Sequence, residues 1–415
     1  MHGSAHYHRP LVGWLSLAQL ISWGSVFYLF ALVMAPIESE LRVSRAQASL
    51  AFSIALLIDG LVAYPVGRLI DRGHERAVMT GGSCVVALGL ALHSQVTSLG
   101  ALYAVWALLG LGMGATLYAP VFSVVTRRFP QDFRRAIITM TFLGGLASTV
   151  FIPLTAWLIA QMGWRQALWV LGGFNLLVCA PLHWHWLRHA PRRPAAHPQD
   201  AIGPHAAAAA DPGLRHHLQS APYLLIGLAI VCMTFATAAL PSHMINLLRE
   251  YGLAEHWVLL VPASIGVLQV LGRLLLYLFE SRFDVHLANR LIPCLMPVGL
   301  ALLLVAPWLG APQSSVVLAT LLFFVVTWGM GNGMLTIVKG TAMAQYVSHR
   351  HVASLNGAMG VPLALVRASA PLALALMWSA QSGYRWGLAA MISTGVAGAL
   401  ALAVAQGLAL KRARH

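Results

Sequence analysis

Three cations and one carboxylate stand where the sequence offers them almost no water. Arg273, Lys339 and Arg367 each fall inside a long apolar run, and Asp59 is the one acid placed well within such a run. A charged side chain at mid-bilayer costs about 2.5 to 3.5 kcal/mol, and three unpaired ones roughly three times that. One carboxylate facing three cations leaves positive charge over, and an anionic substrate restores the balance most simply. Arg suits a carboxylate because its planar fork donates two parallel hydrogen bonds, whereas Lys acts as a point charge. The pattern therefore points to a pocket for a mono- or dicarboxylate, gripped by Arg273 and Arg367.

Each of these residues has a second reading. Arg273 could be a structural or gating charge near a helix end, or lie about two turns inside with Gln269 opposite Asp59. Lys339 could reach back to the membrane surface along its own stem. Asp59 could accept a transported proton or neutralise an Arg from the other half of the chain. His243, just after Pro241-Ser242, offers a substrate or proton contact or only a polar group near a helix end. Tyr28, Tyr118, Thr237 and Asn332 are candidate pocket donors, although such residues also satisfy one another between helices.

The elements that position these residues follow from composition. Hydrophobic residues make up 59% of the 415 and charged ones 9%, against roughly 25% charged in soluble domains. A water-soluble core needs no such apolar excess, so the chain is read as an all-α polytopic membrane protein. Apolar runs of spanning length lie near 11–34, 46–70, 77–94, 98–126, 133–159, 164–187, 220–247, 256–280, 286–308, 313–345, 350–378 and 383–410, twelve in all. Six precede and six follow a Pro-, Ala- and His-rich stretch, dividing the chain into an N-terminal half (1–187), a flexible linker (188–219) and a C-terminal half (220–415). With both termini cytoplasmic, 18 of the 26 Lys and Arg fall on the cytoplasmic side, five outside and three within the membrane. The +14 charge is thus explained by orientation and needs no nucleic acid. The four cysteines sit in separate runs, which predicts free core thiols. Gly163-Trp164-Arg165 is echoed by Gly383-Tyr384-Arg385, and Gly112-Met113-Gly114 by Gly329-Met330-Gly331. Such internal repetition belongs to transporters with repeated halves.

The charged stretch between the second and third runs, Gly67-Arg68-Leu69-Ile70-Asp71-Arg72, resembles the loop signature of the major facilitator superfamily. That resemblance implies a twelve-helix fold of two six-helix halves working by alternating access. It also implies close helix approach at Gly67 and a cytoplasmic gate built from Gly67, Arg68, Asp71, Arg72 and Arg76, with His74-Glu75-Arg76 departing from the usual basic pair. Tyr118-Ala119-Pro120, Phe129, Arg134-Arg135-Ala136, Pro153 and Gly163-Trp164-Arg165 are similar to the monocarboxylate porter and oxalate/formate exchanger branch. In that branch a helix-eight Arg binds the anion, which implies the role for Arg273. The acid four residues before it is replaced here by Gln269, and the helix-one acid by Ser22-Trp23-Gly24.

No phosphate loop, catalytic triad or zinc motif appears, so an enzyme and a resident cofactor are not expected. The expected function is secondary transport of a small organic anion by alternating access, proton-coupled symport or exchange (antiport), in a monomer within a prokaryotic inner (plasma) membrane. Multidrug efflux is the alternative. Two further readings are a metal transporter, with Met330 and Met334 on one helix face, and a nontransporting sensor that uses the His-rich linker.

Overall fold

The structure is a computed structural model that describes residues 9–129, 133–188, 213–279, 284–348, 355–356 and 358–412; the side chains of Asp71, Phe133, Arg134, Arg135, Leu214, Tyr277, Phe279, Val285 and Arg412 lie outside that description. Among the described residues, eleven helices are long and apolar enough to cross a membrane: α1 (Arg9–Leu41), α2 (Arg45–Ile70), α3 (Glu75–His93), α4 (Leu99–Arg128), α5 (Ala136–Met162), α6 (Trp164–Trp186), α7 (Ala221–Glu250), α8 (Glu255–Leu276), α9 (His286–Trp308), α10 (Ser315–Tyr346) and α12 (Arg385–Lys411). The shorter α11 (Gly360–Leu376) occupies the eleventh expected run, whose beginning falls largely outside the described residues. Helices that are apolar all round suit lipid outside and close packing inside. Most of the expected linker also lies outside the description, but its end, expected to be flexible, forms a short helix, Gly213–Gln219. Ser220 then starts α7 by accepting a hydrogen bond from the Tyr223 amide.

The repeated glycines act as contact points between backbones. In α4, a Cβ on Gly110 would stand 2.4 Å from the Ala55 carbonyl oxygen of α2, and one on Gly112 would stand 2.6 Å from Val86 of α3. In α10, a Cβ on Gly333 would stand 2.1 Å from the Gln269 carbonyl oxygen of α8, and one on Gly331 would stand 2.8 Å from Leu295 of α9. The two halves therefore use the same device, a small-residue stripe on the fourth helix of each set of six.

The N-terminal half interrupts its helices where they pass the centre. α1 carries a π-helical turn at Trp23–Phe27, and α6 carries another at Asn175–Cys179. Asn175 Nδ2 donates to Ser25 Oγ across the two turns at 2.8 Å. α4 breaks at Leu117, where Gln19 Nε2 donates to the Thr116 carbonyl at 2.6 Å. α5 breaks at Leu146, just after Gly144 and Gly145. Backbone freed at such depth needs partners inside the protein, and π-turns commonly mark functional places.

The cysteines correct one expectation. All four are free, but Cys84 and Cys294 lie on the exposed face of the bundle and only Cys179 is buried. A helix surface facing lipid is as apolar as the core, so hydropathy alone does not separate the two.

Candidate functional site

A cavity of about 300 Å³ opens between the halves. The interrupted segments reach it directly: Trp23, Phe27 and Tyr28 from α1, Leu117 and Tyr118 from α4, and Gly144, Gly145 and Ser148 from α5 line its wall. The opposite wall holds Thr234 and Thr237 of α7, Gln269 and Arg273 of α8, Asn332 and Lys339 of α10, and Arg367 of α11. Asp59 of α2 completes it and is its one acidic side chain among the described residues. Every expected substrate-contact residue except His243 is therefore on this cavity.

Asp59 and Arg367 form an ion pair from α2 to α11, joining residues 308 positions apart. Asp59 is the more enclosed partner, its side chain 13% exposed against 45% for Arg367. Of the two sequence readings of Asp59, the geometry realises neutralisation of an Arg from the other half, and Arg367 brings little free charge to the cavity. Arg273 is half-buried on the cavity wall, in the last turn of the α8 span. Its Nη1 donates to the Thr141 carbonyl of α5 at 3.0 Å, and its Nε approaches the Gly333 carbonyl of α10 at 3.4 Å. Two neutral oxygens orient the guanidinium, and the described residues place no carboxylate on it. Lys339 turns into the cavity and does not run to the surface; its Nζ donates to Thr234 Oγ1 at 3.3 Å. The chemistry left open is that of two cations held by uncharged partners, in a wall of hydroxyl, amide and aromatic groups. Tyr118 packs against Trp23 with ring centroids 4.9 Å apart and planes tilted by 43°, and a Cβ on Gly144 would stand 2.5 Å from the Tyr118 hydroxyl.

His243 belongs to a second cluster, at the end of the cavity remote from the chain termini. Arg45, at the start of α2, reaches Glu250 of α7 at 2.5 Å, Glu38 of α1 at 3.2 Å and the Tyr384 hydroxyl at 3.0 Å, and lies 4.0 Å from the centroid of Trp378. His243 Nε2 stands 2.9 Å from the Pro371 carbonyl, so that nitrogen carries the proton. Its Nδ1, 3.0 Å from the Tyr384 hydroxyl, is then the acceptor, and Tyr384 donates to it while accepting from Arg45. Burial raises the Tyr384 pKa, which keeps this relay residue a neutral hydroxyl. The cluster ties α1 and α2 to α7, to Pro371 of α11 and to Trp378 and Tyr384 between α11 and α12. Sequence reasoning missed it; the available signal was an acid in the last turn of α1 and another ending α7, beside an Arg that opens α2.

The opposite face differs. Among the described residues a Cβ on Gly67 would meet nothing within 4 Å, so they show no close helix approach there. α2 and α11 instead touch nearer the middle, at Gly60 and Ala364, and Leu61, Tyr64 and Val361 stand exposed toward their ends. Of the expected gate residues, Arg68 lies 5.9 Å from the Tyr64 ring centroid, Arg72 is exposed, and Arg76 stacks 3.3 Å over Trp184. The Asp71 side chain lies outside the described residues. The ordered charge cluster here is instead Glu75, fully buried, with Arg128 at 2.5 Å and Arg127 at 3.5 Å. It was hidden in the three residues where the loop signature departs from its usual pattern.

Comparison with known proteins bears on this arrangement. The sequence profile described as Major Facilitator Superfamily matches residues 15–371. The chain is 27% identical over 314 residues to monocarboxylate transporter 13 of Bos taurus, covering 72% of this chain and 68% of that protein. It is 31% identical over 130 residues to the oxalate:formate antiporter of Oxalobacter formigenes, covering 31% of each. Against monocarboxylate transporter 12 of Rattus norvegicus the match is 24% over 247 residues, so the chain spans about half, 49%, of that relative. Among solved structures, a bacterial homolog of the human lysosomal transporter Spinster, inward-facing and occupied, superposes with a TM-score of 0.72 over 98% of this chain and 97% of that one, at 16% identity.

Proposed function

We propose, from the premise that this chain belongs to the major facilitator superfamily of membrane transporters, that it moves a small organic anion through the central cavity. The observation that carries the reading is the charge left over there. Among the described residues Arg273 and Lys339 have only neutral hydrogen-bond partners, while the one carboxylate on the cavity is taken by Arg367. A mono- or dicarboxylate supplies the missing negative charge, and the printed names of the monocarboxylate and oxalate:formate relatives agree with that class. The two six-helix halves rock about the cavity. The Arg45 cluster closes one face, and the Arg68, Asp71, Arg72 and Arg76 loop closes the other in the alternate state. Basic residues concentrate on the terminal face, which supports both termini being cytoplasmic. The cycle is exchange, or symport with a proton carried at Asp59 once Arg367 leaves it. An exporter of cationic drugs would need free acid in the cavity, and Asp59 is not free.

The test is ligand-dependent thermal stability of the purified full chain, wild type beside Arg273→Gln, with short carboxylates and cationic drugs. A ligand at 100 times its Kd stabilises the folded state by about 2.7 kcal/mol. Carboxylates are expected to raise the melting temperature of wild type and not of the variant. Stabilisation by drugs alone would overturn the reading.

A further inference from the structure

A second cavity, of about 440 Å³, shares no residue with the central one. α8 turns opposite faces to the two: Pro262, Ile265 and Gln269 to the central cavity, Leu260, Ser264 and Val267 to the second. α10 forms the other flank with Leu318, Leu322 and Val326, and Thr149 and Pro153 of α5 reach it from the N-terminal half. Leu260, Val267 and Leu322 are 50%, 38% and 63% exposed, so this groove opens on the outer surface of the bundle. It lies where the two halves begin to diverge. Beside it α5 and α8 are in tight contact, and a Cβ on Gly266 would stand 2.6 Å from the hydroxyl oxygens of both Ser148 and Thr149.

Depth and chemistry together say what the groove can hold. α8 begins just after the turn that follows Glu250, so Trp257 lies near the face of the Arg45 cluster. From Trp257 to Val267 the helix rises about 15 Å, half of a hydrocarbon core about 30 Å thick. The groove thus runs the depth of one leaflet. Its hydroxyls are already used: Thr149 Oγ1 donates to the Ala263 carbonyl at 2.6 Å and Ser264 Oγ to the Leu260 carbonyl at 2.7 Å. Among the described residues no charged side chain lines it. Spread over that length, the volume gives a channel about 5 to 6 Å across, narrower than a helix about 10 to 12 Å wide.

We propose that this groove is a lipid site, which seats one acyl chain of a membrane phospholipid from the leaflet on the Arg45 side, across the seam between the halves. Lipid tails are as apolar as leucine, so burial alone does not draw a chain in from the bilayer. Packing does: an empty groove forfeits the dispersion contacts of its walls, and so apolar a space does not hold water. Because α5 belongs to one half and α8 and α10 to the other, the seated chain touches both and pads the seam about which they rock. The inference stands independently of the anion reading.

The experiment photolabels the purified full chain in phosphatidylcholine vesicles doped with a phosphatidylcholine that carries a diazirine midway along one acyl chain, and labelled residues are mapped by mass spectrometry. Leu88 and Leu92, exposed near the end of α3 on the same face, report the ordinary lipid boundary. Groove residues of α8 and α10 are expected to label about tenfold more than these two, as a held chain should against an exchanging one. Ser264→Phe, which puts a ring into the groove, should bring its labelling down to the α3 level and leave α3 unchanged. Thermal melts show whether that variant folds, and Val267→Phe on the exposed rim takes its place if it does not. Groove labelling no stronger than at α3 in wild type would overturn the proposal, as would strong labelling that the filling substitution does not lower. Disulfide-linked dimers of Leu322→Cys, with the four native cysteines replaced by Ser, in place of lipid labelling would assign the groove to a second copy of the chain and overturn it too.

Discussion

Arg45→Ala should open the face that Arg45 closes. The side chain is 12% exposed and joins Glu38, Glu250, Tyr384 and the Trp378 ring. Hydrogen bonds to charged groups contribute about 1.5 to 3 kcal/mol each when shielded, and a partly desolvated cation–π contact adds about 1 kcal/mol. Glu38 and Glu250 are 20% and 31% exposed, so solvent screens both pairs and about 2 kcal/mol is a reasonable net contribution to the closed state. The contacts with Glu250, Tyr384 and Trp378 link the two halves, whereas Glu38 shares the half of Arg45, so breaking the cross-half contacts as that face opens shifts the closed-to-open ratio by up to about thirtyfold for about 2 kcal/mol. The assay uses Ser49→Cys, a fully buried position 3.5 Å from His243, in a background with Cys84, Cys179, Cys232 and Cys294 replaced by Ser. Its labelling rate with a membrane-impermeant maleimide should rise at least tenfold when Arg45→Ala is added. An unchanged rate, with the protein folded, would refute the idea that this cluster holds the face shut.

Asp59 and Arg367 should behave as a coupled pair. Asp59→Asn and Arg367→Gln are each expected to lower stability by about 1 to 3 kcal/mol, the more exposed Arg pulling the cost toward the lower end. The double variant should recover part of the loss, and additive losses in thermal melts would show that the pair is not energetically real. Gly333→Val puts branched carbon where a Cβ would already stand 2.1 Å from the Gln269 carbonyl oxygen. It should force α8 from α10 and lower the melting temperature by several degrees, whereas Gly67→Ala, with open space around it, should leave the unliganded melting temperature unchanged. Similar melting temperatures for the two would contradict the packing described.

Hydropathy made the twelve spans legible because each helix must be apolar toward lipid as well as toward its neighbours. α1 runs beyond its expected end to Leu41 because Glu38 and Glu40, which look like loop residues in sequence, are neutralised by Arg45 and Arg165. The π-turn at Trp23–Phe27 carried no proline signal, whereas the break at Leu117 is signalled by Pro120, whose missing N–H frees the Thr116 carbonyl four residues back for Gln19, and Gly144-Gly145 hinted at the break in α5. Charge counting required a partner for the buried cations but could not choose among Arg273, Lys339 and Arg367, because that choice is made by helix neighbours 308 positions apart. The sequence leaves His243 open between a substrate or proton contact and a polar group near a helix end. Its ring faces Tyr384 and Pro371, a matter of helix rotation that a short apolar sequence does not encode.

The pairing of Asp59 with Arg367 also has an electrical consequence. It leaves Arg273 and Lys339 as two cations on the cavity without an acid among the described residues, so that in the proposed cycle the carrier without its anion has the larger net charge. Each charge carried through the full field is worth about 2.3 kcal/mol per 100 mV, and membrane voltage would then weigh on the unloaded arm of that cycle more than on the loaded one. A negative interior would hold the unloaded carrier open to that interior and slow its return, and trading one bound anion for another would feel the potential less.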